Sequence, residues 1–99
     1  MNLGKMMNQV NQLKKQMNSD QQKIRQRKFT GESPDNLVRV VLTGDHKMQD
    51  LKVNPKVMDP KDPDMLTDLI ISAVNDAEKQ ISEATKNTLG KYTNGIPGM

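Results

Sequence analysis

Seven basic side chains fall within the first thirty residues: Lys5, Lys14, Lys15, Lys23, Arg25, Arg27 and Lys28. Asp20 is the one acid among them, so this stretch carries a net charge of +6. Residues 31–99 hold eight basic and eleven acidic groups, a net of −3. A basic arm on an acidic body suits a polyanionic partner, because lysine and arginine neutralise phosphates while neighbouring asparagine and glutamine donate to phosphate oxygens. The same charges also fit a plain solvated helix face. The densest group is Lys23, Arg25, Arg27 and Lys28. Lys14 and Lys15 lie further out on the arm, and Lys86 and Lys91 lie near the other end of the chain. Arg27 has Glu32 and Asp35 within reach as alternative partners.

Other chemistry is poorly supplied. The sequence has no cysteine, which excludes disulfides, thiolate nucleophiles and cysteine-ligated zinc, and its one histidine excludes a multi-histidine metal site within one chain. His46 falls in turn sequence beside Asp45 and reads as a solvated surface group. The carboxylates Asp59, Asp62 and Asp64 are accounted for by helix capping, and Asp76 with Glu78 lacks the spacing of a metal motif. No phosphate-binding glycine loop, dinucleotide fingerprint or nucleophile elbow occurs. The expectation is a protein without catalysis, cofactor, metal or small-molecule substrate. With only Phe29 and Tyr92 aromatic, there is no ladder on which unpaired bases could stack.

The basic residues must be carried by the N-terminal element. Leu3, Met6, Val10, Leu13, Met17 and Ile24 follow alternating steps of three and four, the a and d positions of a heptad, with Asp20 and Arg27 intruding at d. Neither proline nor glycine interrupts residues 5–28. This predicts one helix of about 25 residues, roughly 37 Å long at 1.5 Å per residue. Lys5, Lys14, Lys15, Lys23, Arg25 and Lys28 all lie off its seam. Phe29–Ser33 then reads as a short strand, Pro34-Asp35-Asn36 as a turn, and Leu37–Thr43 as a β-branched strand. Gly44-Asp45-His46 supplies a hairpin, and Lys47–Val53, with Leu51 and Val53 on one face, completes a three-stranded antiparallel meander.

Asp59-Pro60 and Asp62-Pro63 each write a helix start, an acidic cap followed by proline. The helix that follows gathers Leu66, Leu69, Ile70, Ala73, Val74, Ala77, Ile81 and Ala84 on one wide face, and Gly90 reads as its stop. Residues 93–99 read as a flexible tail beyond a single domain, 1–92. Apolar residues make up 33% of the chain, a thin supply for a core of this size. Val10, Leu13 and Met17 on the arm and Leu66, Ile70, Val74 and Ile81 on the last helix are therefore assigned to core and dimer contact, with Ile70 and Val74 fully buried and a second copy completing the core. No apolar run approaches the length of a membrane span, about 18 residues, and no secretory signal is evident, so a cytoplasmic protein is expected.

Gly31-Glu32-Ser33, Leu37-Val38-Arg39-Val40, Thr43-Gly44, Val53-Asn54-Pro55, Asp68-Leu69-Ile70 and Ala73-Val74-Asn75-Asp76-Ala77 resemble the successive blocks of the YbaB/EbfC family of bacterial nucleoid-associated proteins. The order helix, three strands, helix and Gly/Pro/Met tail is similar over nearly the whole chain. Two positions depart from the pattern: Pro34-Asp35 replaces a small glycine-containing turn, and Asn54 replaces an aspartate. The resemblance implies an α+β homodimer with helices projecting like tweezers, a double-stranded DNA partner, a place in the nucleoid and no catalytic activity. It assigns no DNA contact residue by residue, and Asn75 and Asp76 read as capping or dimer-bridging groups. The competing reading is a protein–protein scaffold in which the heptad seam recruits another helix without DNA.

Overall fold

The fold is known from a computed structural model that describes residues 2–93. Helix α1 spans Leu3–Gln26. Strands β1 (Lys28–Glu32), β2 (Val38–Thr43) and β3 (Met48–Val53) follow, and helix α2 spans Pro63–Thr93. Pro34–Asn36 forms a tight turn between β1 and β2, and a single 3₁₀ turn sits at Pro55–Val57. This is the expected α+β order. The helix of the arm ends slightly earlier than the sequence suggests: Arg27 already has extended backbone, and Lys28 opens β1. Of the basic group, only Lys23 and Arg25 are helical.

The sheet is a meander in the order β1-β2-β3, antiparallel throughout. Phe29 pairs with Leu42 and Gly31 with Val40, while Val40 pairs with Leu51 and Val38 with Val53. Directly paired residues share a face, so Phe29, Gly31, Val38, Val40 and Leu42 point together towards α2. With Val57, Ala73, Ala77 and Ile81 the apolar members of this set form the buried core. Leu51 and Val53 do lie on one face, as expected, but α2 packs over β1 and β2. Leu51 therefore stays exposed and Val53 half-buried.

Local chemistry explains the connections. Asp35 and Asn36 both adopt left-handed backbone, φ 56° and 55°, a conformation that Asp and Asn tolerate better than most residues. Behind this turn Ser33 is buried, its Oγ accepting from the Val38 N–H at 2.8 Å while its own N–H donates to the Val38 carbonyl at 2.9 Å. Of the two Asp-Pro steps, the first makes a turn, Asp59 Oδ1 accepting from the Lys61 N–H at 2.9 Å. The second caps α2, Asp62 Oδ1 accepting from the Met65 N–H at 3.2 Å.

Two expectations are corrected. Ile70 and Val74 are half-buried in the single chain rather than fully buried; the fully buried residues of the α2 face are Ala73, Ala77 and Ile81. The reason is the approach of β1. A Cβ on Gly31 would collide with the Ala73 carbonyl and lie 2.6 Å from the Ala77 nitrogen, so the helix comes closest where its side chains are smallest and leaves the bulkier residues towards the rim. Nor does Gly90 stop α2, which continues to Thr93. Of the tail expected at 93–99, Thr93 belongs to α2 and the remainder lies outside the described residues.

α2 also closes the free edge of β1. Asp76 Oδ2 accepts from the Glu32 N–H at 2.9 Å, and Gln80 Nε2 donates to the Thr30 carbonyl at 2.8 Å. Of the pair Asn75-Asp76, Asp76 is thus a cap on the sheet edge within the chain. Gly31→Ala should force helix and sheet apart and cost at least about 1–3 kcal/mol, as overpacking does. Thermal unfolding followed by circular dichroism should show a fall of roughly 4–8 °C for each kcal/mol lost in a domain of this size.

Candidate nucleic-acid interface

α1 is an arm anchored only at its root. None of its residues is fully buried, and the chain measures 73 × 25 × 16 Å. Its radius of gyration, 19.7 Å, far exceeds the roughly 13 Å of a compact chain of this length. The anchor is the β2–β3 turn. Gly44 donates its N–H to the Arg27 carbonyl at 2.9 Å, and a Cβ there would collide with the Ile24 carbonyl. Glycine at 44 thus lets the helix end rest directly on the hairpin backbone.

A second contact holds α1 to α2. The Tyr92 hydroxyl donates to Asp20 Oδ2 at 2.5 Å. This hydrogen bond, reinforced by desolvation and by the carboxylate charge, pushes the Tyr92 pKa from 10.0 up to about 12. Asp20, a flaw in the heptad when the arm is read alone, is thus a strut to the last turn of α2. It brings Lys91 next to the root of the arm: Asp20, Lys23, Ile24, Arg27, Thr88 and Lys91 line one shallow groove between the helices.

The candidate residues do not form one patch. Lys23, Arg27 and Lys91 share that groove, and Arg25 lines a neighbouring one with Gln21, Ile24, Gly44 and Thr85. Lys28 is exposed at the start of β1. Lys14 and Lys15 are exposed further out on the arm. Lys86 lies apart, beside His46 and Glu78. Of the residues assigned to core or dimer contact, Val10 and Leu13 are exposed, Met17, Leu66, Ile70 and Val74 are half-buried, and Ile81 is buried.

The ion pairs among the described residues are Arg39–Glu32 at 3.0 Å, His46–Glu78 at 2.7 Å and Lys47–Asp45 at 3.9 Å. None of them engages a candidate lysine or arginine. Arg27 reaches neither Glu32 nor Asp35; its guanidinium lies 4.7 Å from the centroid of the Phe29 ring. His46 is better held than its turn position suggests, since its Nδ1 meets Glu78 Oε2 and so ties the hairpin to α2. Among the described residues no group of three or more His, Cys, Asp or Glu side chains is placed to hold a metal ion, and no helix is long and apolar enough to cross a membrane.

The sequence profile of the YbaB/EbfC DNA-binding family matches residues 1–96. The chain belongs to this family. Its relatives include a nucleoid-associated protein of Pediococcus pentosaceus, 55% identical over 80 residues that cover 81% of this chain and 77% of the relative. One from Ligilactobacillus salivarius is 44% identical over 99 residues, 100% of this chain and 95% of the relative. Another from Enterococcus faecalis is 46% identical over 98% of this chain and 93% of its own length. The crystal structure of an uncharacterized protein from Helicobacter pylori superposes with a TM-score of 0.73 at 23% identity, over 96% of this chain and 99% of that one, and so shares the fold. In this YbaB/EbfC chain the family blocks are chiefly structural: Gly31, Ala73 and Ala77 make the closest helix–sheet approach, Asp76 caps β1, and Gly44 seats the arm.

The strut has a direct optical readout, because Tyr92 is the only tyrosine. Titrated by absorbance, Tyr92 should ionise near pH 12 in the native chain and near the ordinary tyrosine value of 10.0 in Asp20→Asn. The raised pKa means that the folded state holds the proton more tightly than the unfolded one. Its contribution to stability is therefore complete below about pH 10 and is lost as pH rises towards about 12.

Proposed function

We propose that this YbaB/EbfC chain is a nucleoid-associated protein that binds double-stranded DNA as a homodimer, through backbone contacts made by the root of α1 and the end of α2. The observation that carries the reading is the groove at that junction, where three cations, Lys23, Arg27 and Lys91, converge around one acid, Asp20, whose carboxylate accepts from the Tyr92 hydroxyl; none of the three is in an ion pair among the described residues. Arg25 and Lys28 flank it. Such cations bind phosphate by releasing condensed counterions, which gives affinity without base selectivity. The absence of an aromatic ladder directs the reading to duplex rather than single strands, and the nucleoid-associated relatives support it. Catalysis has no part in it.

Assembly follows from apolar surface that one chain leaves open. Met48 and Leu51 on the uncovered β3 and Ile71 on α2 are exposed, and Leu66, Ile70 and Val74 of α2 are half-buried against the core; together they are the shelf we assign to the second copy. A second copy placed on that shelf completes the core and presents the basic junction twice. The assembly acts in the cytoplasm, on the nucleoid.

A gel-shift series at increasing salt tests the reading. The native chain should lose affinity linearly in log salt and bind unrelated duplexes about equally. The double variant Lys23→Gln/Arg25→Gln keeps helix propensity and leaves Ile24 in place. It removes two cations from each protomer, so the salt slope of a dimer should be shallower by up to about 3.6, at about 0.9 for each phosphate no longer neutralised. Binding should weaken on all sequences alike. An unchanged slope would reduce this end of the arm to a solvated face. Affinity indifferent to salt would favour the scaffold reading.

A further inference from the structure

The outer half of the arm carries a surface that neither the basic junction nor the core shelf uses. Leu3, Met6, Val10 and Leu13 are 69, 52, 48 and 43% exposed. The strut between Tyr92 and Asp20 puts the described end of α2 level with the fifth turn of α1, so residues 3–16 extend past it. Four apolar side chains at strict a and d spacing therefore stand in solvent on a helix already formed. Isolated helices shorter than about 12–15 residues are marginal in water, but this one is continuous with a root held on the hairpin and against α2.

The flanks of the seam identify its partner. The e and g positions beside it are Asn2, Met7, Gln9, Lys14 and Gln16, which include one charge and no acid. A charged partner helix would find little to pair with, whereas amide-rich flanks are complementary to themselves. We propose that the arm tip is a self-pairing surface: Leu3, Met6, Val10 and Leu13 pack antiparallel against the same seam of another copy, joining two DNA-bound assemblies.

Antiparallel pairing is favoured on two grounds. It opposes the helix dipoles. It also sets Leu3 against Leu13 and Met6 against Val10, which separates the two Lys14 side chains by about 18 Å along the axis at 1.5 Å per residue, beyond the roughly 8 Å screening length at physiological salt. A parallel pair would bring Lys5, Lys14 and Lys15 of both arms level. Lys5 and Lys15, at c and f, face away from the seam, so one arm can meet phosphate and another arm at once. Four apolar layers make a short interface. Pairing is accordingly weak between free molecules and strong where duplexes hold many arms at high local concentration. DNA thus promotes the contact, both by neutralising the lysines and by crowding the arms.

The proposal rests on the DNA-binding reading above, and its test separates the two. The full-length protein is mixed with a bead-bound duplex and a fluorescent duplex of unrelated sequence, and retention of fluorescence is measured alongside a gel shift of each duplex. The native protein should retain the second duplex. Leu3→Gln/Val10→Gln/Leu13→Gln, which keeps helix propensity and touches only exposed positions, should bind each duplex with unchanged salt slope yet retain at least five-fold less. Because the chain lacks cysteine, Met6→Cys mixed with Val10→Cys should cross-link on DNA more than either alone. Equal retention by the triple variant would overturn the proposal, as would a stronger cross-link from Val10→Cys by itself. Binding without retention by the native protein would remove the bridge alone, whereas no binding to either duplex would remove the DNA reading and the bridge together.

Discussion

The close approach of β1 to α2 is the constraint on which the rest of this molecule depends. With only two aromatic residues and a third of its positions apolar, the chain has little side-chain volume with which to fill a wide core. It closes the gap instead by bringing backbone to backbone, Gly31 lying against Ala73 and Ala77. Asp76 and Gln80, on the same helix, then satisfy the backbone groups along the edge of β1. That edge would otherwise be open to further strand pairing. Once α2 is fixed across β1 and β2, its C-terminal end is aimed along the root of α1, and Tyr92 can reach Asp20. The basic junction is thus a consequence of helix–sheet packing some 15 residues away.

The second feature is how few contacts hold the arm. Gly44 at the hairpin, Ile24 packed against the core and Asp20 bonded to Tyr92 fix its root: a backbone contact, one apolar side chain and a single hydrogen bond. Little of α1 is buried, and so its polar and cationic groups remain available along most of its length. Arg27, at the helix end, lies with its guanidinium over the Phe29 ring. An acidic body behind a basic arm also restricts where a polyanion can settle, since phosphate would be repelled from the acid-rich start of α2 and drawn to the root of α1.

Much of the architecture was legible in the residues, for reasons that can be named. The heptad spacing from Leu3 to Ile24, the β-branched run Val38–Val41 and the second Asp-Pro cap at Asp62-Pro63 are local signals, and local hydrogen bonding or packing enforces each of them. What sequence alone could not supply were outcomes settled by distant partners. Gly90 carries a stop signal worth about 1 kcal/mol, yet α2 continues to Thr93, through the turn in which Tyr92 docks on Asp20. Periodicity places Ile70 and Val74 on the inner face but says nothing of depth, which is set by Gly31, some forty residues earlier. His46 meets Glu78 across 32 positions, and no spacing rule connects them. The basic residues were visible as a set. Their division into a groove at the root, an outer arm and the isolated Lys86 depends on the path of α2, and the sequence contains no local signal for that path.

The central claim is that DNA is gripped where α1 and α2 meet, while the sheet serves as a scaffold. Amide resonances of the labelled full-length chain, followed as a short duplex is added, test it most directly. Shifts should concentrate at residues 14–28 and around Lys91, with β2, β3 and the turn at 34–36 unmoved. Shifts centred on the sheet, or spread no more over the arm than over the body, would contradict it.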